Sequence, residues 1–249
     1  MKYKAIFLDL DGTTIINGSK DPPSQKVIDV IHKAHDKIHI SIATGRGLWE
    51  IDHIIDSLNL TGPCIILNGV QIYDPIQRKI IKEISLNQTL IPEIKNILEK
   101  YKGTIYGFDG TAVSIIDKQI KHDKVLSYFI TGLSELNADN LIDEISHISQ
   151  VASHKLIPWR DEFYSVEITD VKASKLHGIV EIAKTLGINT HEMIGVGDSY
   201  NDFPLLMACG LKIAMGNAVP ELKSIADFIA PSVEEDGVAT VIEKFILNQ

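Results

Sequence analysis

Apolar residues run almost without a break over residues 4–10, 38–43 and 64–67, and polar, helix-patterned stretches separate these runs. Continuous runs of this kind mark strands covered on both faces of a parallel sheet. Between the first two runs, Ser24 is a fitting N-cap, and Val27, Ile28, Ile31 and Ala34 share one helical face. Leu48, Ile51, Ile55 and Leu58 repeat the helical spacing before the third run. This β-α-β-α-β alternation predicts a layered α/β sheet.

After Asn68-Gly69 the pattern changes. Residues 70–73 and 79–84 predict a hairpin around Asp74-Pro75, followed by a helix over residues 90–101. Strands at 104–108 and 111–116 flank Asp109-Gly110, a dipeptide that signals a two-residue hairpin loop. A helix over residues 118–130, a polar stretch, a short helix and strands at 148–153 and 163–168 follow. The block reads α-β-β-α-β-β, an antiparallel sheet with helices on one face. The alternation then resumes with a helix over 172–186 that stops at Gly187, strands at 193–196, 211–215 and 228–230, a short helix at 203–209 and a closing helix at 238–247. The predicted fold is α/β: a doubly wound parallel-sheet core, residues 1–83 and 169–249, with an inserted α+β cap over residues 84–168. No internal repeat or low-complexity tract interrupts it.

Composition narrows the function classes. With 24 basic against 33 acidic residues, the net charge is −9, a poor match to nucleic acid or an anionic membrane. An anionic substrate would therefore need local cations. Cys64 and Cys209 sit among apolar or small residues and read as buried thiols, with no disulfide framework or zinc spacing. No apolar run approaches the roughly 18 residues of a membrane span, and no signal-peptide pattern opens the chain. The expectation is a soluble, cytoplasmic protein.

Ligands of parallel α/β sheets bind at the carboxyl ends of the strands. Those ends carry Asp9, Asp11, Gly12 and Thr13; then Thr44, Gly45 and Arg46; then Asn68 and Gly69; then Gly197, Asp198, Ser199, Asn201 and Asp202; then Gly216 and Asn217. Two carboxylates flanking one strand residue project to the same side. They can share a divalent cation, or one can attack while the other moves a proton. Asp198 would complete an oxygen-rich site suited to Mg²⁺. Carboxylate nucleophiles form aspartyl-phosphates, and a metal offsets the repulsion between two anions. Thr44 and Gly45, where a strand feeds a helix, and Lys175, near a helix start, suit phosphate oxygens.

"DLDGT", "ATGR", a Lys ahead of a helix and "GVGDSYND" together resemble, in order and position, the four motifs of the haloacid dehalogenase-like phosphohydrolases. The cap, placed after "LNG" and before the Lys, resembles the type-C2-capped, Cof-like branch. The resemblance implies an Mg²⁺-dependent phosphatase of a small phosphorylated metabolite, a sugar phosphate or phosphoglycolate-like ester, acting through an aspartyl-phosphate. It implies Asp9 as nucleophile and Asp11 as general acid/base. Asp9, Asp198, the Asp11 backbone carbonyl and Asp202, through water or as an orienting group, would serve the metal. Thr44, Gly45, Lys175 and Asn201, with the Leu10 N–H, would hold the phosphoryl group. The implied partner is a small-molecule substrate, for a monomer or weak homodimer. Two departures are Leu176, where the family often has Gly after the Lys, and "DGTTI", where the usual run is "DGTLL"; Lys172 is a second lysine nearby.

Plainer roles stand beside these. Thr44 and Asp202 could cap the helices that follow them, and Asn68 and Asn217 could only shape turns. Arg46 could reach the substrate or a core carboxylate. Asp109-Gly110 reads as a turn, because Gly107 stands where a second acid would be. His154, Lys155, Trp159 and Arg160 are cap candidates for specificity. A phosphomutase shares the motifs. A receiver-type or non-catalytic phospho-ligand module is the alternative of a different class, although a receiver's Lys comes last, whereas here an acidic motif follows Lys175.

Overall fold

A computed structural model of the chain describes residues 2–116, 124–156 and 163–248. The chain divides into two compact units, Met1–Lys82 with Ser174–Gln249, and Glu83–Ala173.

The first unit begins with β1 (Ala5–Leu8), α1 (Gln25–Ala34), β2 (His39–Ile42) and α2 (Leu48–Leu58). Ser24 caps α1 by accepting the Val27 N–H, and Val27, Val30, Ile31 and Ala34 form its buried stripe. β3 (Cys64–Ile66), a tight turn at Leu67–Gly69, β4 (Gln71–Asp74) and β5 (Lys79–Glu83) follow. β3 was expected in the parallel sheet. It instead forms a separate three-stranded sheet, in the order β3-β4-β5, and touches β2 through one bridge, Ala43↔Ile65. The turn at residues 67–69 folds β4 back antiparallel onto β3.

The second unit holds α3 (Ile91–Leu98), β6 (Thr104–Phe108), β7 (Val113–Ile115), β8 (Ser127–Leu133), α4 (Glu135–Ser146), β9 (Val151–Leu156) and β10 (Tyr164–Asp170). Its sheet is antiparallel, in the order β7-β6-β8-β10-β9. Tyr128, Ile130, Val166 and Ile168 join Ile94 and Leu98 of α3 and Leu141 and Ile145 of α4 in one core. The sheet has five strands where four were expected. The helix expected over residues 118–130 is strand β8 over its last four positions, and residues 117–123 lie outside the described chain. Alternation decides the point: Tyr128 and Ile130 are buried in the helix-covered core, while Phe129 and Thr131 are not. The Asp109-Gly110 turn exists, but it closes a four-residue loop, because Phe108 pairs with Val113. Asp109 Oδ1 accepts the N–H groups of Thr111 and Ala112, both at 2.8 Å.

The chain returns to the first unit through α5 (Lys175–Leu186), β11 (Met193–Gly197), α6 (Phe203–Ala208), β12 (Leu211–Ala214), α7 (Pro220–Ile225), β13 (Phe228–Ile229) and α8 (Gly237–Ile242). α7 was not expected from the pattern. The main sheet runs β13-β12-β11-β1-β2 and every pairing in it is parallel. α1 packs with α2 and α8, and α5 packs with α6. Cys64 and Cys209 are buried free thiols, and burial pushes each up to about 12. Among the described residues, no helix is long and apolar enough to cross a membrane.

Candidate active site

β1 and β11 are neighbouring central strands, and both end in acidic loops. The Asp9 N–H still donates to Val196 O, at 2.9 Å, so Asp9 extends β1 by one ladder bond and its side chain is buried. The chain then turns sharply. The Leu10 carbonyl accepts the N–H groups of Thr13, Thr14 and Ile15 at 3.2, 2.9 and 2.9 Å. Gly12 takes φ +75°, and a Cβ there would overlap the Asp198 carboxylate, so only glycine fits. Thr13 Oγ1 donates to Asp198 Oδ1 at 3.0 Å, and Thr14 Oγ1 to the Asp9 carbonyl at 2.6 Å. Regular strand geometry ends at Leu8, so alternation does not carry through to Asp11 as expected. The two acids take different partners.

Asp9 faces Lys175. Ser174 caps α5 by accepting the His177 N–H, which makes Lys175 the first helical residue. Its buried ammonium donates to Asp9 Oδ1 and to Asp202 Oδ1, each at 2.6 Å. Lys172 is exposed, whereas Lys175 is buried against the two carboxylates. Asp202 is fully buried, and its other oxygen accepts the N–H groups of Asp198 and Ser199 at 2.9 and 3.0 Å. Asp202 stands at the N-cap position of α6, yet its carboxylate makes no cap bond to that helix. It shapes the loop that carries Asp198 and anchors Lys175.

Asp11 faces Arg46. The Arg46 Nε donates to Asp11 Oδ2 at 2.7 Å and Nη2 donates to Oδ1, a two-pronged pair. The Gly18 N–H also donates to Asp11 Oδ1, at 3.0 Å. Of the two roles open to Arg46, the core carboxylate is the one occupied here. Thr44, buried at the end of β2, accepts the Arg46 N–H at 3.1 Å through its own hydroxyl. That bond closes the loop ahead of α2.

Asp9, Asp198 and Asp202 bring one carboxylate oxygen each within 4.8 Å of one another. Two buried acids, Asp9 and Asp202, and the half-buried Asp198 against one ammonium leave an excess of negative charge. Burial and then Asp202 push the Asp198 carboxyl up to about 7. Burial and Asp202 also raise Asp9 well above the usual carboxylate range, against the pull of Lys175. Burial alone would lower Lys175, but Asp202 and Asp9 outweigh it and keep the ammonium charged. An all-oxygen, under-neutralised group of this kind fits a hard divalent cation such as Mg²⁺.

Asp9, Asp198, Asp202 and Lys175 thus form one cluster, and Asp11, on the same loop as Asp9, forms a second with Arg46. Thr44 and Gly45 lie at the end of β2, and Asn201 donates through Nδ2 to Asn68 Oδ1 at 3.4 Å. Asn217 does more than shape its own turn: Nδ2 donates to the Gly12 carbonyl at 2.7 Å and Oδ1 accepts the Val233 N–H at 3.0 Å. Thr13, named among the strand-end residues but given no role, holds Asp198 through its hydroxyl. In the second unit, Lys155 is paired with Asp139 at 2.6 Å and His154 is exposed, while Trp159 and Arg160 lie outside the described residues.

The sequence profile of the haloacid dehalogenase-like hydrolases matches residues 6–155 and 127–242. The 5-amino-6-(5-phospho-D-ribitylamino)uracil phosphatase YcsE of Bacillus subtilis (strain 168) is 25% identical over 250 residues, spanning 98% of this chain and 96% of the relative. A haloacid dehalogenase-like hydrolase from B. subtilis shares the fold, with a TM-score of 0.83 at 22% identity, covering 98% of this chain and 100% of the other. The subclass IIB sugar phosphatase BT4131 does so with a TM-score of 0.77 at 22% identity, covering 97% and 98%.

Proposed function

Because this chain belongs to the haloacid dehalogenase-like hydrolases and is a phosphoric monoester hydrolase, we propose that it is an Mg²⁺-dependent phosphatase of small sugar- or polyol-phosphate metabolites acting through an aspartyl-phosphate. The observation that carries this reading is the buried Asp9 carboxylate. It is held by Lys175 at 2.6 Å and set in a carboxylate group that spans no more than 4.8 Å.

Asp9 attacks phosphorus, and the bond from phosphorus to the ester oxygen breaks. Asp11, protonated and released from the Arg46 pair, gives its proton to that oxygen, and the alcohol leaves. Asp11, now a carboxylate, takes a proton from water as the water oxygen attacks the phosphoryl group. The acyl-phosphate bond then breaks, releasing inorganic phosphate and regenerating Asp9. Bound Mg²⁺ would be held by Asp9, Asp198 and the Asp11 carbonyl, and it would screen the nucleophile from the anionic substrate. Asp202 orients the Asp198 loop and Lys175. Lys175, Thr44, Gly45, Asn201 and the Leu10 N–H hold the phosphoryl oxygens. The substrate class rests on two names, a phospho-ribityl ester phosphatase and a sugar phosphatase, both belonging to similar proteins.

The test is phosphate release from p-nitrophenyl phosphate, with Mg²⁺ and with EDTA, for wild type beside Asp9→Asn. Metal-dependent release that vanishes in the variant is the expected result. Release that survives Asp9→Asn would remove the nucleophile from this account, and transfer to an acceptor without free phosphate would indicate a mutase.

A further inference from the structure

Leu67 (φ 50°) and Asn68 (φ 52°) are consecutive non-glycine residues in the left-handed region, and Gly69 follows at φ +106°. Other positive-φ non-glycine residues among those described, Asn59, Arg78, Gln150 and Asp236, occur singly. Such conformations are strained for L-residues and persist where the surroundings impose them. Here the surroundings are the candidate site itself. The Leu67 N–H donates to Arg46 O at 3.0 Å, and the Asn68 N–H to Thr44 O at 2.9 Å. A Cβ on Gly69 would lie 2.5 Å from the carbonyl oxygen of Ser174, the residue before Lys175, so the turn abuts the start of α5.

The Asn68 side chain joins two of these elements. A Cβ on Gly45 would meet the Asn68 amide nitrogen and oxygen at 3.1 and 3.2 Å, so the amide lies directly against the Gly45 backbone. Asn68 Oδ1 accepts from Asn201 Nδ2 at 3.4 Å. Gly45 follows β2, Asn201 follows β11, and the strands are separated in the sheet by β1. Asn68 spans the gap between them.

We propose that Asn68 is a positioning residue of the phosphoryl site: its amide sets the Asn201 side chain against the Thr44–Gly45 loop, and the strained 67–69 turn carries it there. The inference rests on the phosphatase reading, which assigns Thr44, Gly45 and Asn201 to the phosphoryl group.

Asparagine tolerates the left-handed region, so the alternative is a residue that only shapes a turn. Asn68→Gly separates the two, because glycine adopts this φ freely and loses the amide alone. With p-nitrophenyl phosphate, Asn68→Gly is expected to fold with an unchanged thermal midpoint. Its kcat/KM should fall about 10- to 100-fold, and inorganic phosphate should become a correspondingly weaker competitive inhibitor. In an Asn201→Ala background, Asn68→Gly should add less than about a further twofold. Asn68→Ala keeps the strain and loses the amide, so it should be slow like Asn68→Gly but less stable.

Wild-type kinetics in Asn68→Gly would overturn the proposal. So would an equal loss in both backgrounds, because the residue would then not act through Asn201. Asp9→Asn in the same assay tests the phosphatase reading separately, since turnover surviving there refutes the mechanism whatever Asn68 does.

Discussion

Arg46 grips Asp11 with both prongs of its guanidinium, although the two residues are 35 positions apart. Asp9, two positions before Asp11, is held instead by Lys175. The loop after β1 thus carries two acids that are anchored independently. One sits in the buried carboxylate group and the other is turned toward the loop ahead of α2.

If Arg46 positions Asp11 for the proton transfer to the leaving oxygen, its loss should matter most where that proton matters most. Arg46→Ala is expected to slow phenyl phosphate hydrolysis by about 100-fold or more, at the low end of what general acid catalysis contributes. Compared as kcat/KM, which stops at formation of the aspartyl-phosphate, p-nitrophenyl phosphate, whose leaving group needs little protonation, should be affected far less. Steady-state kinetics on the two esters check this. An equal loss on both, confined to KM, would mark Arg46 as a substrate-binding group.

Lys175 neutralises Asp9 and Asp202 in a site where all three are buried. Lys175→Met should abolish turnover and leave two carboxylates facing each other without a cation. Removing one partner of a buried ion pair costs about 3–5 kcal/mol, so the metal-free variant should unfold at markedly lower urea than wild type. Added Mg²⁺ should recover part of that stability, because it supplies positive charge to the same carboxylates.

Without metal, Asp198 is pushed up to about 7, first by burial and then by Asp202. In the unfolded chain the same carboxyl ionises near its usual value of about 3.8. Between those values the unfolded chain gives up a proton that the folded chain keeps. Stability of the metal-free protein should therefore fall as pH rises through that window, and level off above it. Mg²⁺ requires the ionised form, so the rise in thermal midpoint on adding MgCl₂ should be larger at about pH 8 than at about pH 5. Asp198→Asn should flatten both trends. Thermal melts across pH, with and without the metal, check the prediction.

Much of this was legible in the sequence, because strand ends in a parallel sheet are places where polar residues interrupt unbroken apolar runs. Asp9 after "AIFL" and Asp198 after "MIGVG" follow strands that are buried throughout, so the interruptions stand out. Ser24, Gly187 and the helical stripe from Val27 to Ala34 marked their elements through local chemistry alone. β8 was lost because its seven residues, Ser127–Leu133, follow a charged stretch and carry only two alternating deep core positions, Tyr128 and Ile130. α7 is six residues long, too short for a helical period to show. The partners of Asp11 and Asn68 were out of reach for a different reason. Arg46 was visible as a basic residue and Asn68 as a turn former, but the hydrogen bonds that give them a role join loops on different strands.

The central claim, that Asp9 becomes phosphorylated, is tested most directly by acid-quenching the enzyme during turnover with Mg²⁺ and mapping the phosphoryl group by peptide mass spectrometry. The account predicts one added phosphoryl group on the peptide that contains Asp9, absent with EDTA and absent in Asp9→Asn. Steady turnover with no phosphorylated peptide, or with the phosphoryl group on a peptide lacking Asp9, would contradict it.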